Sequence, residues 1–409
     1  MKSIPALSEP NYRRFIVGYS FSFTLYWVTL LAIGWWTWET TQSAAWVGFM
    51  FFCDLFPAVL VTPYASALAD RVDRFLMLRI VLWITVATGF SLAVTAALDV
   101  LSPSLLALFA VIEGTAVGFS QPAFFGLLNR LVSPKNLSSG VAFNSSIAQT
   151  SFVLGPLLAG LCFSLGTDFA PLVFSANAFG TLVYLYSLTR VELQPAPPKH
   201  DNTDPGAIAG LIEIWSNNKV FAPIFMIICV ALLQRPLISL MPSTNGIFDI
   251  LRPEAFTFLT ATYMAGSVLG TLYLSSKNDD TGLTEQSRIW LAVMIGLLVA
   301  FFASMEAGIT QIPIVLSLLF VLGLSSPFVW TANTIVLQNQ TSEGLRSRVL
   351  GNSFMISRAT GAMAVAAVGI LSDWIGLSYA MCATAVFVAV LIAAQSILRN
   401  RRRLMEPRP

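Results

Sequence analysis

Residues 44–74 read AAWVGFMFFCDLFPAVLVTPYASALADRVDR. Between 44 and 67 the only charge is Asp54, and these 24 residues would reach about 36 Å as a helix, enough to cross a hydrocarbon core roughly 30 Å thick. The run then breaks on a charged turn, Asp70, Arg71, Asp73 and Arg74. A membrane-crossing helix closed by a basic turn is the unit that this stretch defines, and the rest of the chain repeats it.

Outward from that unit, apolar runs fall at 15–38, 76–98, 105–127, 141–165 and 171–188, then at 220–240, 256–274, 289–304, 312–335, 350–370 and 378–397. With 44–67 they make twelve spans, so the fold class expected is an all-α membrane protein. When the spans alternate across a bilayer, 20 of the 23 Lys and Arg residues fall on one side. Lys2, Arg13 and Arg14, then Arg71, Arg74 and Arg79, then Arg130 and Lys135 mark the early turns. Arg190, Lys199, Lys219, Lys277, Arg288, Arg346, Arg348 and the tail Arg399, Arg401, Arg402, Arg403 and Arg408 complete the set. The opposite connections carry Glu39, Asp99, Asp168, Asp249, Glu254 and Glu306, with Arg252 as their one base. Basic loops stay in the cytoplasm, so both termini are expected inside and the location is a bacterial-type inner membrane.

Composition excludes other classes. The chain is 56% hydrophobic and 11% charged, whereas soluble domains carry about 25% charged residues. A net charge of +2, with bases scattered in ones to threes, gives no nucleic-acid footprint. Cys53, Cys162, Cys229 and Cys382 sit apart inside apolar runs, with neither disulfide nor metal spacing. No phosphate-binding G-x-x-x-x-G-K-[ST], His/Glu metal motif or G-x-S-x-G occurs, so neither a nucleotide-driven pump nor an intramembrane enzyme is expected, and no cofactor or metal is assigned. The run at 15–38 is too long for a cleavable signal and is expected to remain in the mature chain.

The stretch 191–218, with Pro195, Pro197, Pro198, His200, Asp201 and Asp204, reads as a mobile cytoplasmic linker. It divides the chain into an N-terminal six-helix bundle, 1–190, and a C-terminal bundle with a basic tail, 219–409. The halves echo each other. Leu137-Ser138-Ser139-Gly140-Val141-Ala142-Phe143-Asn144-Ser145 matches Leu345-Arg346-Ser347-Arg348-Val349-Leu350-Gly351-Asn352-Ser353 at five of nine positions, before the fifth span of each half. That placement favours a parallel internal repeat.

The turn Ser66-Ala67-Leu68-Ala69-Asp70-Arg71-Val72-Asp73-Arg74 resembles the G-x-x-x-D-R-x-x-R signature of the major facilitator superfamily, with Ser66 where glycine is usual. Asn11-Tyr12-Arg13-Arg14-Phe15, Pro57 and Pro63, Gly155-Pro156-Leu157-Leu158-Ala159-Gly160, and Leu337-Gln338 leading to Arg346-Ser347-Arg348-Val349 resemble its proton-coupled efflux branch, which holds macrolide exporters and the enterobactin exporter. The similarity runs from about residue 11 to 395. It implies a twelve-helix alternating-access transporter, with Asp70, Arg71 and Arg74 as a gate and Gly155, Pro156 and Gly160 as an antiporter-like element. Ala159, Ser151 and Asn144 stand where that element usually has glycine.

Four ionisable residues lie within the spans, where a charge is costly enough to mark function. They are Asp54 and Glu113 in the first half and Arg235 and Arg358 in the second, a distribution that suggests switchable pairs, Glu113 with Arg235 and Asp54 with Arg358. Glu113, about 12 Å along its span, is the expected proton carrier. Polar residues at helical spacing add Ser22, Tyr26 and Thr29, then Gln121 with Ser120, then Trp330 and Asn333 with Ser326 and Thr334. The resemblance implies that their helices line the central cavity, making Ser22, Tyr26, Thr29, Gln121, Trp330 and Asn333 substrate contacts. The partners expected are a small organic substrate, protons and membrane lipid, acting on a monomer. The function expected is proton-coupled export of a small organic molecule, siderophore-like or a drug, and the arginines tilt it toward an anion over a lipophilic cation. A lysophospholipid flippase on the same fold and a transport-inactive sensor or scaffold are the competing classes.

Overall fold

The computed structural model describes residues 5–69, 71–164, 170–192, 206–246, 253–275, 282–308 and 311–405. Among the residues named above, Lys2, Asp70, Asp168, Lys199, Asp249, Arg252, Lys277 and Arg408 lie outside the described residues, as do Pro195, Pro197, Pro198, His200, Asp201 and Asp204. The side chains of Leu137, Ser138, Ala142, Glu254, Ser347, Arg399, Arg401, Arg402 and Arg403 are likewise not described.

Every regular element among the described residues is helical. The first six long helices are α1 (Pro10–Thr41), α2 (Ala44–Ala69), α3 (Arg74–Ala97), α4 (Pro103–Leu131), α5 (Leu137–Ser164) and α6 (Ala170–Leu188). A short α7 (Gly206–Ser216) precedes α8 (Asn218–Ser239), α9 (Pro253–Ser275), α10 (Leu283–Glu306), α11 (Ile312–Gln340), α12 (Glu343–Ile375) and α13 (Leu377–Met405). Eleven described helices are long and apolar enough to cross a membrane, and the 23-residue α9 packs among them on α11 and α5. Capping follows local chemistry. Asp73 accepts from Phe75 N at 2.9 Å to start α3, Ser102 accepts from Leu105 N at 3.2 Å to start α4, and Pro10 and Pro103 occupy first turns where no N–H is needed.

Several helices outrun their apolar runs. α12 begins at Glu343, so Arg346 and Arg348 are helical instead of looped, and α10 takes in Arg288. A charge stops an apolar run without stopping a helix, because at headgroup depth its side chain reaches water while the backbone bonds continue.

The stretch expected to be a mobile linker contains α7, GAIAGLIEIWS. Ile214, 1% exposed, packs with Val220, Ile224, Leu337 and Val349, and Gly210 lies so close to α12 that an added methyl would sit 2.7 Å from Asn352 Nδ2. Prolines and acids dominate the first part of that stretch and hid this apolar second part from a reading by average composition.

Packing repeats with the internal pattern of the chain. Within the first six helices α2 packs on α4, α3 on α4 and α6, and α1 on α5; within the last six α9 packs on α11, α10 on α11 and α13, and α8 on α12. Between the groups, α2 lies against α12 and α5 against α9. The end of the bundle where α1 starts and α13 finishes is called here the near end, and the other the far end. At the far end the α2–α12 crossing brings backbone against backbone. A methyl on Gly48 would fall 2.6 Å from Val365 O, and one on Gly369 would fall 2.5 Å from Ala44 O. Small residues are what allow such an approach. Asp373, at the end of α12, accepts from the Ala44 N–H at 2.7 Å and from the Ser43 hydroxyl, and so caps α2 across the two groups. Trp35 and Phe256 stack nearby with ring centroids 5.8 Å apart.

Candidate functional site

A cavity of about 400 Å³ lies between the two groups of helices. Tyr26, Asp54, Glu113 and Gln121 line it from one side, and Arg235, Ile238, Ser239 and Arg358 from the other. Asp54 is placed by α2, where Pro57 lacks the N–H that would have closed on the Cys53 carbonyl. Gly114 fits against this stretch of backbone, and a side chain on it would collide with the Asp54 carbonyl. That contact brings α4 onto α2 and sets Glu113 beside Asp54. A second, smaller pocket of about 30 Å³ is lined by both acids together with Tyr26, Thr88 and Asn177.

The four ionisable residues converge on the cavity, but each acid bonds within its own group of helices. Tyr26 Oη donates to Asp54 Oδ2 at 3.3 Å, and Thr85 Oγ1 donates to Glu113 Oε2 at 3.3 Å. Arg358 Nε donates across the groups to the Leu55 carbonyl at 3.3 Å. Arg235 lays its stem over Gly361, where an added methyl would fall 2.6 Å from its Cγ. Among the described residues no carboxylate–guanidinium contact joins the four, so the expected pairs Glu113 with Arg235 and Asp54 with Arg358 share a cavity without touching in this arrangement. Hydroxyls on neighbouring helices bond the acids locally, while Arg358 reaches the α2 backbone one residue beyond Asp54.

Of the six expected substrate contacts, Ser22, Tyr26 and Gln121 line the large cavity. Ser22 is hydrogen-bonded to Thr181 at 3.0 Å. Thr29 is buried under the small pocket, donating to Val173 O and accepting from Asn177 N, both at 3.1 Å. Trp330 and Asn333 are not among the cavity's lining residues: Trp330 packs on Phe354 at 5.9 Å, and the fully buried Asn333 donates to Val329 O at 2.6 Å. Of the gate residues, Asp70 lies outside the described residues, Arg71 is exposed in the turn after α2, and Arg74 Nε donates to Ala69 O at 3.1 Å. In α5, Gly155 lets the helix close on the Trp27 Cβ of α1, and Pro156 and Gly160 are buried within a continuous helix.

Sequence reasoning missed Thr85, the aromatic residues Tyr19, Phe23, Trp27, Phe152 and Tyr184 around the cavity, and Asp373 at the far end. The signal for Tyr19 and Phe23 was present, since with Tyr26 they recur at helical spacing on one face. Nothing local marks Asp373, whose partner is more than 300 residues away in the chain. Among the described residues no group of three or more His, Cys, Asp or Glu is placed to hold a metal ion, and the four cysteines are free thiols.

Comparison with known proteins gives the family and the fold. The family model described as Major Facilitator Superfamily matches residues 15–272, more than half of the chain. The staphyloferrin A transporter of Staphylococcus aureus is 23% identical over 346 residues, 81% of this chain and 83% of its own. The multidrug efflux pump Tap of Mycobacterium tuberculosis is 22% identical over 57% of this chain and 55% of its own. A bacterial homologue of the human lysosomal transporter Spinster, solved inward-facing and unoccupied, superposes with a TM-score of 0.77 at 15% identity, covering 93% of this chain and 95% of that one. The chain belongs to the major facilitator superfamily and is a multi-pass membrane transporter, not an enzyme.

Proposed function

We propose that this transporter exports a small organic anion in exchange for protons, from a bacterial inner membrane in which the near end faces the cytoplasm. One observation carries the reading: two acids and two arginines, from opposite groups of helices, border a single cavity of about 400 Å³. Guanidinium keeps its charge at any physiological pH and pairs with carboxylates in a fork, so two of them facing one space favour an anionic cargo. The acids can gain and lose protons, which the arginines cannot, and Glu113 is assigned as the main carrier with Asp54 beside it. The basic near-end turns support the orientation. The tight Gly48–Gly369 crossing and the Asp373 cap at the far end support a state open toward the near end, with the first and last six helices as the two bodies that rock. Arg71, Arg74 and Asp70 would then hold the near end in the opposite state. Relatives named for staphyloferrin A transport and for multidrug efflux fit export of an organic molecule without naming this cargo. The test is counterflow in proteoliposomes loaded with labelled organic acids. An imposed proton gradient should drive anion movement against its own gradient, and collapse of that gradient by an uncoupler should stop it. Movement indifferent to the gradient, or confined to organic cations, overturns the proposal.

A further inference from the structure

Resting on the anionic-cargo reading, we propose that the cavity takes an amphipathic anion whose ring system lies against an aromatic wall built mainly by α1, while its acid group meets Arg235 and Arg358. Tyr19, Phe23 and Tyr26 recur on one face of α1 with rings nearly parallel, 15° apart in each step, at centroid distances of 5.4 and 6.3 Å. Trp27 and Phe152 extend the wall edge to face at 5.0 Å, and Phe124 closes on Tyr19 at 4.6 Å. All of these line the cavity. Phe15, which packs on Phe124 and Tyr184 but does not line the cavity, is fully covered at 0% exposure, whereas Tyr19, Phe23, Tyr26, Trp27 and Phe152 line it and are only part-covered. Their uncovered surface is what a cargo would bury.

The wall also carries polar atoms without a hydrogen-bond partner among the described residues. Tyr184 is 3% exposed and lines the cavity, yet its hydroxyl has no partner there, and the same holds for the indole N–H of Trp27 and the side-chain oxygen of Asn144. Buried polar groups normally find partners, and these three, covered by the side chains around them, would meet hydroxyl or carbonyl substituents on a ring as those side chains shift to admit it. The opposite wall is different in kind: α8 and α12 supply two arginines with Ile238 and Ser239 and no ring. Arg235 makes no hydrogen bond among the described residues and Arg358 uses one nitrogen on the Leu55 carbonyl, so both keep donors for an anion. An organic cation would meet the same rings and the two acids, but those acids are neutral for part of a proton cycle while the guanidiniums never are. The polarity that persists is positive.

The experiment measures equilibrium binding to the full-length protein in lipid nanodiscs with four probes: 2-naphthoate, 6-hydroxy-2-naphthoate, octanoate and 2-naphthylmethylamine. The naphthoates are expected to bind about tenfold tighter than octanoate, and the amine more weakly than either. Phe23→Leu and Phe152→Leu should each weaken naphthoate about fivefold and leave octanoate unchanged, as loss of a ring contact predicts. Arg235→Gln should weaken every anion about tenfold or more. Tyr184→Phe, which keeps the ring and its packing, should weaken only the hydroxylated probe, about threefold. If the leucine variants weaken both anion types equally, or neither, and Tyr184→Phe does not separate the two naphthoates, the wall is packing and the inference falls. If naphthoate binds no better than octanoate while Arg235→Gln still weakens both, this inference fails and the anionic reading stands. If the amine binds tightest, or Arg235→Gln changes no anion, the anionic reading itself fails.

Discussion

The two sides of the cavity carry opposite chemistry. On the side of α1–α6 stand both acids, each held by a hydroxyl, together with the aromatic wall. On the side of α8–α13 stand both arginines, one of which reaches across to the α2 backbone. Groups that titrate and groups that stay charged therefore sit on different bodies, although the bodies themselves are built to one packing plan. A rocking motion of one body on the other would change the distance between the two kinds of charge. Under the proposed function, proton loading and cargo binding would then bias the same movement without a shared residue, because each needs only a difference in affinity between the two states.

The largest effect should come from the acid side. Glu113→Gln, a neutral near-isostere of the protonated acid, is expected to abolish gradient-driven accumulation in proteoliposomes while retaining anion binding. Full uphill flux in that variant would move the proton site elsewhere and break the division between the two sides. Next is the link between sides. A double-mutant cycle on binding and flux with Glu113→Gln and Arg235→Gln should show coupling above about 0.5 kcal/mol if the pair forms in the other state, and additivity if it never forms. At the far end, Asp373→Ala removes the cap of α2, a loss of about 1 kcal/mol that should shift the populations roughly fivefold toward far-open forms. Spin labels placed by Trp46→Cys and Trp374→Cys, in a background without the native cysteines, would report it as a longer distance component, and an unchanged distribution would reduce Asp373 to a local cap.

The smallest effect concerns Glu9, just before α1. It accepts from Ser133 N at 3.0 Å, from the Ser133 hydroxyl and from Asn136 Nδ2 at 3.0 Å, and these bonds, the Ser133 hydroxyl foremost, lower its pKa below the ordinary 4.5. A lowered folded-state pKa adds stability above the unfolded value and loses it as the pH falls through the folded value. Glu9→Gln should therefore lower the melting temperature slightly at neutral pH, and the gap from the native chain should close on acidification below about 4.5. A gap that persists in acid would show that the hydrogen-bond geometry, not the charge, is what ties α1 to the α4–α5 turn.

How far the site was legible differs residue by residue. Asp54, Glu113, Arg235 and Arg358 stood out because charge within an apolar run is rare, and all four border the cavity. Trp330 and Asn333 were chosen by spacing on a helix that also has a buried face, and spacing cannot say which face is which. Tyr184 and Phe152 had no signal at all, since an aromatic residue in a membrane helix is ordinary until a cavity forms beside it.

The sequence by itself determined the class and the run of membrane-crossing helices. Runs of apolar residues long enough to cross a bilayer must be helical there, since lipid satisfies no backbone polar group, and that rule acts locally. Tertiary structure decided which faces meet. These helices are apolar nearly all round, so hydrophobic periodicity, which orients a helix in water, says little about rotation in lipid. Rotation is set instead by close approaches such as Gly114 on the α2 backbone and Gly48 against Gly369, between segments far apart in the chain. Those contacts bring the acids, the arginines and the rings to one cavity, because steric fit between helices is a property of pairs and not of any single run.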